Sequence, residues 1–177
     1  MIRLCIGWIP YYSAHVRTTL ISKDPRMPEN RDEVITLLKQ AYSMELETVT
    51  NYLANSINLD GVRAEEIKKA LAGDVTEEIG HAQVLAQRIK QIGGTAPGSA
   101  DLTFGSQQQP PEDTTDVVAV IEGVIEAEET ACALYNKIIR ATDGSDYVTQ
   151  DLCIRLLASE EEHLVLFQGY LKEYARE

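Results

Sequence analysis

Residues 128–135 have the sequence Glu-Glu-Thr-Ala-Cys-Ala-Leu-Tyr, and residues 160–163 have the sequence Glu-Glu-Glu-His. The same pattern stands in the first half of the chain, where Glu45 and Tyr52 precede Glu78-Ile79-Gly80-His81. In both copies a Glu is followed by a Tyr seven residues later and by a Glu-x-x-His motif 33 or 32 residues later. An internal repeat of this kind indicates a duplicated structural unit. The two copies together contain four carboxylates and two imidazoles, which is the ligand set of a two-metal site.

The composition is that of one acidic globular domain. The chain has 177 residues, of which 44% are hydrophobic and 25% are charged, and this is enough to bury a full core. The net charge is −12, from 16 basic and 28 acidic residues. This balance argues against a nucleic-acid partner, because nucleic-acid binding requires clustered Lys and Arg. It suits a protein that attracts cations, although many helical proteins are acidic only because their surfaces are solvated.

The cysteines and the apolar runs bear on the compartment. Cys5, Cys132 and Cys153 form no Cys-x-x-Cys pair, so we expect no disulfide framework and a reducing, cytoplasmic location. Cys132 and Cys153 are expected on facing helices, where buried free thiols are the more common state. No run approaches the ~18 apolar residues of a membrane span, so no membrane partner is expected. The short apolar start is broken by Pro10 and does not match a secretory signal peptide.

The chain divides into an N-terminal extension, residues 1–30, and a helical domain, residues 31–175. The extension has no hydrophobic period and contains Pro10, Pro25 and Pro28. In the rest of the chain, apolar residues recur at the three-and-four spacing of a helix face. This spacing predicts four helices over about residues 30–58, 62–92, 116–142 and 146–174. Asn30 is a typical N-cap residue for the first helix, and Gly93-Gly94 is a typical end for the second.

The connections between these helices define the architecture. The first and third connections are short, so the helices that they join should be antiparallel. The second connection, residues 93–115, can cross the whole bundle, because 23 residues at ~3.3 Å each exceed a helix length of about 40 Å. No segment shows the alternation of a strand. The sequence therefore predicts an all-α protein, an antiparallel four-helix bundle with one long crossover between the second and third helices.

Acidic residues and histidines interrupt the apolar inner face of every predicted helix. One Glu lies near the middle of each helix, so the four meet at one level whichever way the helices run. A Glu and a His three residues apart lie on the same helix face, and each such pair can bind one metal. The set predicts two metal ions per chain, with iron favoured and manganese as an alternative. The predicted ligands are Glu45, Glu78, His81, Glu128, Glu160 and His163.

The alternative for each of these residues, taken alone, is a structural role. A buried Glu can pair with Arg or Lys, and a single inner His is more often a hydrogen-bonded core residue. The joint pattern favours metal, because the chain has only three His and the two outside the extension both belong to the motifs. Four buried carboxylates without cations would also be very costly, and a metal ion is the simplest way to neutralise them.

Tyr52 and Tyr135 complete the candidate catalytic residues. Each lies about two turns beyond the Glu of its own helix, Glu45 or Glu128, and is too far along the helix to reach it. We therefore expect each hydroxyl to donate to a carboxylate of a neighbouring helix, while simple filling of the core is the alternative. Asp74, one turn before the Glu-x-x-His of the second helix, can line an ion path or be a solvated side chain, and the sequence favours neither.

These motifs resemble the ferritin-like di-iron carboxylate superfamily, and within it the bacterioferritins and the Dps-like proteins. Residues 45–52, Glu-Leu-Glu-Thr-Val-Thr-Asn-Tyr, are similar to the first-helix motif of bacterioferritin, and residues 160–163 to its second metal pair. Residues 146–152 resemble the start of its fourth helix. Residues 81–94 are similar to the end of the second helix in Dps-like proteins, and the paired Glu-x6-Tyr motifs resemble rubrerythrin as well. The resemblance covers about residues 30–175.

The resemblance implies a ferroxidase, which oxidises Fe(II) with O2 or H2O2 for iron storage and detoxification in a homo-oligomeric protein shell. Two alternatives are also enzymes, namely a rubrerythrin-like peroxidase and a manganese catalase. Rubrerythrin usually carries a four-cysteine iron domain, and the three cysteines of this chain form no such cluster. A third alternative is a bundle without enzymatic activity that only binds metal or serves as a scaffold.

Two departures from the family pattern lead to further expectations. In bacterioferritins a Met directly after the second-helix ligand Glu binds haem, but the matching residue here is Ile79, and Met1, Met27 and Met44 all lie outside that helix. We therefore expect no haem. Ferritins of 24 subunits typically add a short fifth helix, but only 14 residues follow His163. We therefore expect a smaller assembly, a dodecamer or a dimer.

Overall fold

The computed structural model describes residues 30–174. Most of them form four helices, which are α1 Arg31–Asn58, α2 Glu65–Gln91, α3 Val117–Thr142 and α4 Tyr147–Tyr174. Two short 3-10 helices, Val62–Ala64 and Ser99–Asp101, lie before α2 and within the crossover from α2 to α3. Residues 30–174 contain no strand, so the predicted all-α class is confirmed. The predicted extension, apart from Asn30, lies outside the described residues.

Two apolar clusters fill the bundle, one at each end, and their composition gives the directions of the helices. The first cluster joins the start of α1, the end of α2, the end of α3 and the start of α4. The second joins the end of α1, the start of α2, the start of α3 and the end of α4. α1 and α4 therefore run one way and α2 and α3 the other, which is the predicted bundle with one crossover.

The helix ends follow their local sequence, with one exception. Gly93 has a φ of 85° directly after α2, a conformation that glycine adopts without strain. Asp116 caps α3 by accepting a hydrogen bond from the backbone N–H of Ala119 at 3.0 Å. The predicted capping role of Asn30 is wrong, because its side chain donates instead to the carbonyl of Ala141 at 2.5 Å. That carbonyl belongs to the last turn of α3, where it has no partner within the helix.

The two cysteines of the described residues are both on bundle helices. On α4, Cys153 is fully buried in the first apolar cluster, while the neighbouring Leu152 is only partly buried. Both Cys153 and Cys132 are free thiols, and Cys132 is partly exposed. Burial raises the pKa of Cys153 to about 12 and that of Cys132 to about 11. Both thiols therefore stay protonated at neutral pH and are poor nucleophiles.

The crossover is held against α1 by three side chains on successive turns, Glu47, Asn51 and Asn55, which we call the crossover clasp. Glu47 accepts hydrogen bonds from the backbone N–H groups of Gly105 at 2.6 Å and Gln107 at 3.2 Å. Asn51 donates to the carbonyl of Gln107 at 2.8 Å, and Asn55 donates to the carbonyl of the next residue at 2.9 Å. The clasp therefore fixes the long connection along one face of α1.

The four helices are amphipathic bundle helices. Within residues 30–174, none of them has the length and apolar character that crossing a membrane requires.

Candidate metal centre

A layer of polar side chains separates the two apolar clusters at the middle of the bundle. It contains all six predicted ligands, one each from α1 and α3 and two each from α2 and α4. All six are at least nine-tenths buried, and their exposed fractions are Glu45 2%, Glu78 0%, His81 8%, Glu128 3%, Glu160 1% and His163 7%. These side chains lie at the same level along the four helices, as predicted, and therefore lie close together.

The six side chains form two overlapping groups, in each of which one ligand atom per residue lies within 4.8 Å of the others. The groups are Glu45, Glu78, His81 and Glu160, and Glu78, Glu128, Glu160 and His163. Glu78 and Glu160 belong to both groups, whereas Glu45 and Glu128 belong to one each. This geometry suits two ions that share two bridging carboxylates, with one further carboxylate and one imidazole for each ion.

The imidazoles point the same ring nitrogen toward the carboxylates. Nδ1 of His81 lies 3.1 Å from both Glu78 Oε2 and Glu160 Oε1. Nδ1 of His163 lies 3.2 Å from Glu78 Oε1 and 3.5 Å from Glu160 Oε2. Each histidine thus faces both shared carboxylates, and Nδ1 is the nitrogen placed to bind a metal.

The pKa values show how the layer is charged when protons take the place of metal. Burial alone would lower the pKa of both histidines, but hydrogen bonds to Glu160 and other carboxylates raise the pKa of His81 to about 12 and of His163 to about 11. Burial would raise the pKa of Glu78, but its bonds to the two histidines bring it to about 2. Burial, together with the charges of Glu78 and Glu160, raises the pKa of Glu45 and Glu128.

The donor set fits two divalent cations. Four carboxylates face two imidazoles, so the acids outnumber the available positive charges. The buried atoms Glu78 Oε1, Glu160 Oε1 and His163 Nδ1 are paired within the layer itself, by carboxylate–imidazole contacts of 3.1 to 3.5 Å. These contacts still leave two more carboxylates than imidazoles, so buried negative charge is in excess, and carboxylate and imidazole together suit iron or manganese.

Two tyrosine hydroxyls hold the outer carboxylates. Tyr52 on α1 donates to Glu128 on α3, and Tyr135 on α3 donates to Glu45 on α1. These bonds match the expectation that each hydroxyl reaches a carboxylate of a neighbouring helix. Both tyrosines are fully buried, and burial together with the adjacent carboxylate raises the pKa of each hydroxyl. The hydroxyls therefore stay protonated and serve as hydrogen-bond donors.

The model of the ferritin-like domain family matches residues 35–176. The chain belongs to this family. It is 29% identical over 144 residues to the DNA protection during starvation protein of Pyrococcus furiosus, covering 79% of this chain and 77% of that protein. It is 25% identical over 143 residues to the bacterioferritin of Desulfovibrio desulfuricans, covering 80% of this chain and 75% of that protein.

Solved structures share the same fold. A dodecameric thioferritin of Bacteroides fragilis has a TM-score of 0.72 and 25% identity, covering 82% of this chain and 88% of that chain. The bacterioferritin of Rhodobacter capsulatus, a structure with a metal-free dinuclear site and haem iron, has a TM-score of 0.70 and 22% identity. That match covers 82% of this chain and 87% of the other, and at this identity it shows the ferritin-like fold alone.

Two residues of this ferritin-like bundle that lie beside the polar layer were not predicted from the sequence. Glu77 on α2 is half-exposed, and its carboxylate faces the Nε2 side of both histidines. Ser159 on α4 donates a hydrogen bond to Glu77. Glu77 lies off the apolar stripe of α2, and the chain has many other surface acids. Apart from its place next to Glu78, nothing in the sequence indicates that it faces the histidines.

Asp74 lies near the layer without entering it. It is half-buried, and its Oδ2 atom has no hydrogen-bond partner within residues 30–174. Burial raises its pKa, while the nearby charge of His163 lowers it. Asp74 is thus not freely solvated and belongs to neither ligand group, and a role in lining an ion path stays a prediction.

A cavity of about 730 Å³ lies on the other side of α1, between that helix, the crossover and α3. Its walls include Lys39, Met44, Phe104 and the clasp residue Glu47. None of the six candidate ligands lines it, so the cavity is separate from the metal centre.

Proposed function

We propose that this ferritin-like protein is a ferroxidase whose substrate is Fe(II), bound in pairs by the six side chains of the polar layer. The observation that carries the proposal is the pair of overlapping ligand groups, each with two shared carboxylates, one further carboxylate and one imidazole. At the level of the family, the bacterioferritin and Dps relatives support iron storage and ferroxidase chemistry. The residues of this chain account for how such chemistry would be performed here.

The overall reaction balances with the ions as electron donors. Two Fe(II) ions give up two electrons, which with two protons reduce one O2 to H2O2 or one H2O2 to two molecules of water. We propose that Glu78 and Glu160 bind both ions, while Glu45 and Glu128 bind one each. His81 and His163 supply one Nδ1 lone pair each after losing the protons that they carry in the metal-free layer.

The remaining residues of the layer orient and shield the ligands. The hydroxyls of Tyr52 and Tyr135 each fix one oxygen of an outer carboxylate, and in Glu45 this leaves the other oxygen facing His81. The two apolar clusters exclude water from both ends of the layer, and this strengthens the attraction between carboxylates and cations. Bound iron supplies the change of oxidation state, and the protein supplies charge, position and exclusion of water.

The test is Fe(II) binding and oxidation by the double variant His81→Ala/His163→Ala. We expect the wild type to bind two Fe(II) per chain and to oxidise them rapidly, and we expect the double variant to lose the rapid phase while its circular dichroism still shows a helical bundle. The variant His15→Ala is the matched control, since His15 is the third histidine of the chain and belongs to neither Glu-x-x-His motif. Unchanged oxidation in the double variant would refute the assignment.

The oxidant and the metal need a direct comparison. Parallel assays with O2 and with H2O2, on protein loaded with iron or with manganese, separate the ferroxidase from a rubrerythrin-like peroxidase and a manganese catalase. Rapid disproportionation of H2O2 by the manganese form would favour the catalase. Stoichiometric binding without any oxidation would favour a bundle that only binds metal.

We propose that the chain assembles into a dodecamer or a dimer. The Bacteroides fragilis structure is of a dodecameric protein, and the present chain covers 88% of it. Light scattering should give a mass near twelve times or twice the 19.7 kDa of one chain. A mass near 24 chains would contradict the proposal.

We also propose that this protein binds no haem, although one related structure contains haem iron. Ile79 directly follows the ligand Glu78 on α2, and its side chain is 48% exposed, as expected for an apolar contact residue. A hydrocarbon side chain offers no lone pair to iron. Protein expressed with ample haem should show no Soret band, and a stoichiometric band would show that another residue binds haem.

A further inference from the structure

One carboxylate faces both histidines of the polar layer from the side opposite to the other ligands. Glu77 Oε1 lies 3.8 Å from Nε2 of His81, and Glu77 Oε2 lies 3.7 Å from Nε2 of His163. The two oxygens of one side chain are thus divided between the two imidazoles. Both distances are somewhat longer than a direct hydrogen bond and lie within the range of an ion pair.

Glu77 is held in this position from the neighbouring helix. The hydroxyl of Ser159 on α4 donates to Oε1 of Glu77 on α2. These two helices are the ones that carry the Glu-x-x-His motifs, so the contact joins the two halves of the internal repeat. The side chain of Glu77 is 50% exposed, so it can move by the fraction of an ångström that a direct bond to each ring requires.

The two ring nitrogens of each histidine have different surroundings. Nδ1 of each ring faces Glu78 and Glu160 at 3.1–3.5 Å, whereas Nε2 of each ring faces Glu77 at 3.7–3.8 Å. A neutral imidazole that gives its Nδ1 lone pair to a metal carries its proton on Nε2. That N–H group would point at Glu77 in both rings at once.

We propose that Glu77 is a positioning residue that accepts a hydrogen bond from Nε2–H of both His81 and His163 and thereby holds both rings with Nδ1 toward the ions. The inference rests on the proposed metal centre and adds one residue to it. A carboxylate behind a ligating histidine fixes the ring orientation and raises the basicity of the ligand. Here a single carboxylate would do so for both ions, which couples the two halves of the centre.

The first test measures the affinity for cobalt(II), which is redox-stable under these conditions and has visible d–d absorption when bound. We expect Glu77→Ala to bind Co(II) about 10- to 100-fold more weakly than the wild type, which is the usual effect of losing such a partner. Glu77→Gln should fall between the two, because an amide offers one acceptor oxygen and can serve only one ring. Ser159→Ala keeps the carboxylate and should lose affinity only a few-fold.

The matched control is Glu66→Gln. Glu66 is an exposed acid of the same helix, three turns from Glu77, and the substitution removes the same charge. We expect its Co(II) affinity to stay within about twofold of the wild type, so a general effect of charge on cation binding would be recognised. Circular dichroism of every variant checks that the bundle is intact.

The second test follows the imidazole protons, which a purely structural role of Glu77 would not change. In the Co(II)-loaded wild type, proton NMR should show two hyperfine-shifted, exchangeable N–H signals, one for each ring. In Glu77→Ala both should shift and exchange faster with solvent, whereas in Glu66→Gln both should remain. Glu77→Asp keeps the charge on a shorter side chain and should retain one of the two signals.

The outcomes separate this inference from the function on which it rests. If Glu77→Ala binds Co(II) as tightly as the wild type and keeps both N–H signals, the role of Glu77 is refuted while the metal centre stands. If the wild type binds Co(II) no better than His81→Ala/His163→Ala does, the metal centre itself is refuted, and the inference with it.

Discussion

Two buried glutamates of α1, Glu45 in the polar layer and Glu47 in the crossover clasp, show how differently a folded chain can hold the same side chain. They are 2% and 7% exposed, and because they are two positions apart they point to nearly opposite sides of the helix. Glu47 faces two backbone N–H groups of the crossover. Glu45 faces Glu78, Glu160 and a histidine that those acids share. Burial of an acid therefore does not identify a metal ligand, and the identity of its partners does.

The two regions also differ in what they leave unpaired. At the clasp, the buried atoms without a hydrogen-bond partner in the described part of the chain are Asn55 Oδ1 and the side-chain amide of the neighbouring Gln108, which are neutral. In the polar layer four carboxylates face two histidines, so buried negative charge exceeds the positive charge available to pair with it. A buried neutral group without a partner costs about 1–3 kcal/mol, whereas an unpaired charge costs far more. The clasp is stable as it is, and the layer has a strong tendency to bind cations.

Among the predicted effects, the largest is the rise in thermal stability when the polar layer binds metal. Two divalent ions should stabilise the fold by about 4 kcal/mol each at a free concentration of ~1,000 Kd. For a domain of this size, each kcal/mol raises Tm by about 2–4 °C. Scanning calorimetry of metal-free and Co(II)-loaded protein should therefore show a rise of more than 10 °C. A rise of one or two degrees would mean that the layer is already satisfied without metal and that the contrast with the clasp is false.

The ligand layer could be predicted from sequence because its members repeat at helical spacing and equal depth. Glu45 and Glu128 interrupt apolar stripes at matching points of the two copies, and periodicity alone reveals this. Glu47 could not be predicted, because its partners are backbone groups of a crossover 58 and 60 residues away in the chain. Glu77 could not be predicted either, because its contacts depend on which ring nitrogen of His81 and of His163 faces it.

Local features that differ from simple sequence rules also arise from contacts between helices that are distant in the sequence. Asn30 was expected to cap α1, but a carbonyl of α3 lies within reach of its side chain at the same end of the bundle. On α4, Leu152 is only partly buried, while the neighbouring Cys153 is fully buried in the first apolar cluster. Hydrophobic pattern gives the face of a helix to within about one position, and packing against the other helices decides the rest.

The second prediction concerns pH. Both histidines of the metal-free layer have a pKa of about 11 or 12, so metal binding at neutral pH must displace a proton from each. Displacement of these two protons alone should raise the product of the two metal binding constants about 100-fold per pH unit near pH 7, or about 2.7 kcal/mol, and any proton displaced from Glu45 or Glu128, whose pKa values are also raised, steepens the slope. Co(II) titrations at pH 6, 7 and 8 measure this slope, and proton release can be followed with an indicator dye. A pH-independent affinity would show that the histidines are not ligands.

Without metal, the stability of the fold should follow the opposite trend. The raised pKa of each histidine contributes stability that is full below about pH 6.5, the unfolded value, and is lost as the pH rises toward about 11 or 12. The lowered pKa of Glu78 contributes stability above about pH 4.5 that is lost as the pH falls toward about 2. Glu45 and Glu128, whose pKa values are raised by burial, make the fold less stable as the pH rises above about 4.5. Together these groups place the optimum of the metal-free protein near pH 4.5, and denaturant midpoints across pH should show it.

The third prediction concerns the clasp. Glu47→Ala leaves two backbone N–H groups of the crossover without acceptors, which should cost about 1–3 kcal/mol of unfolding free energy. The rise in Tm on metal loading should be the same as in the wild type, because Glu47 lies outside the layer. Glu33→Ala, an exposed acid of the same helix, is the control and should be within about 0.5 kcal/mol of the wild type. If Glu47→Ala also lost metal binding, the two faces of α1 would not be independent.

The smallest effect is expected from the tyrosines, and it tests whether the two copies of the repeat are equivalent. Tyr52→Phe and Tyr135→Phe each remove one hydrogen bond to an outer carboxylate without changing the apolar packing of the ring. A bond of this kind contributes about 0.5–1.5 kcal/mol, so each variant should lose about 2- to 12-fold in Co(II) affinity at one site. Tyr42→Phe is the control, since this tyrosine packs against the first apolar cluster and is absent from the ligand groups. Because the internal repeat places Tyr52 and Tyr135 in corresponding positions, their effects should agree to within about threefold, and a large effect at only one of them would show that the two ions are held by unequal halves.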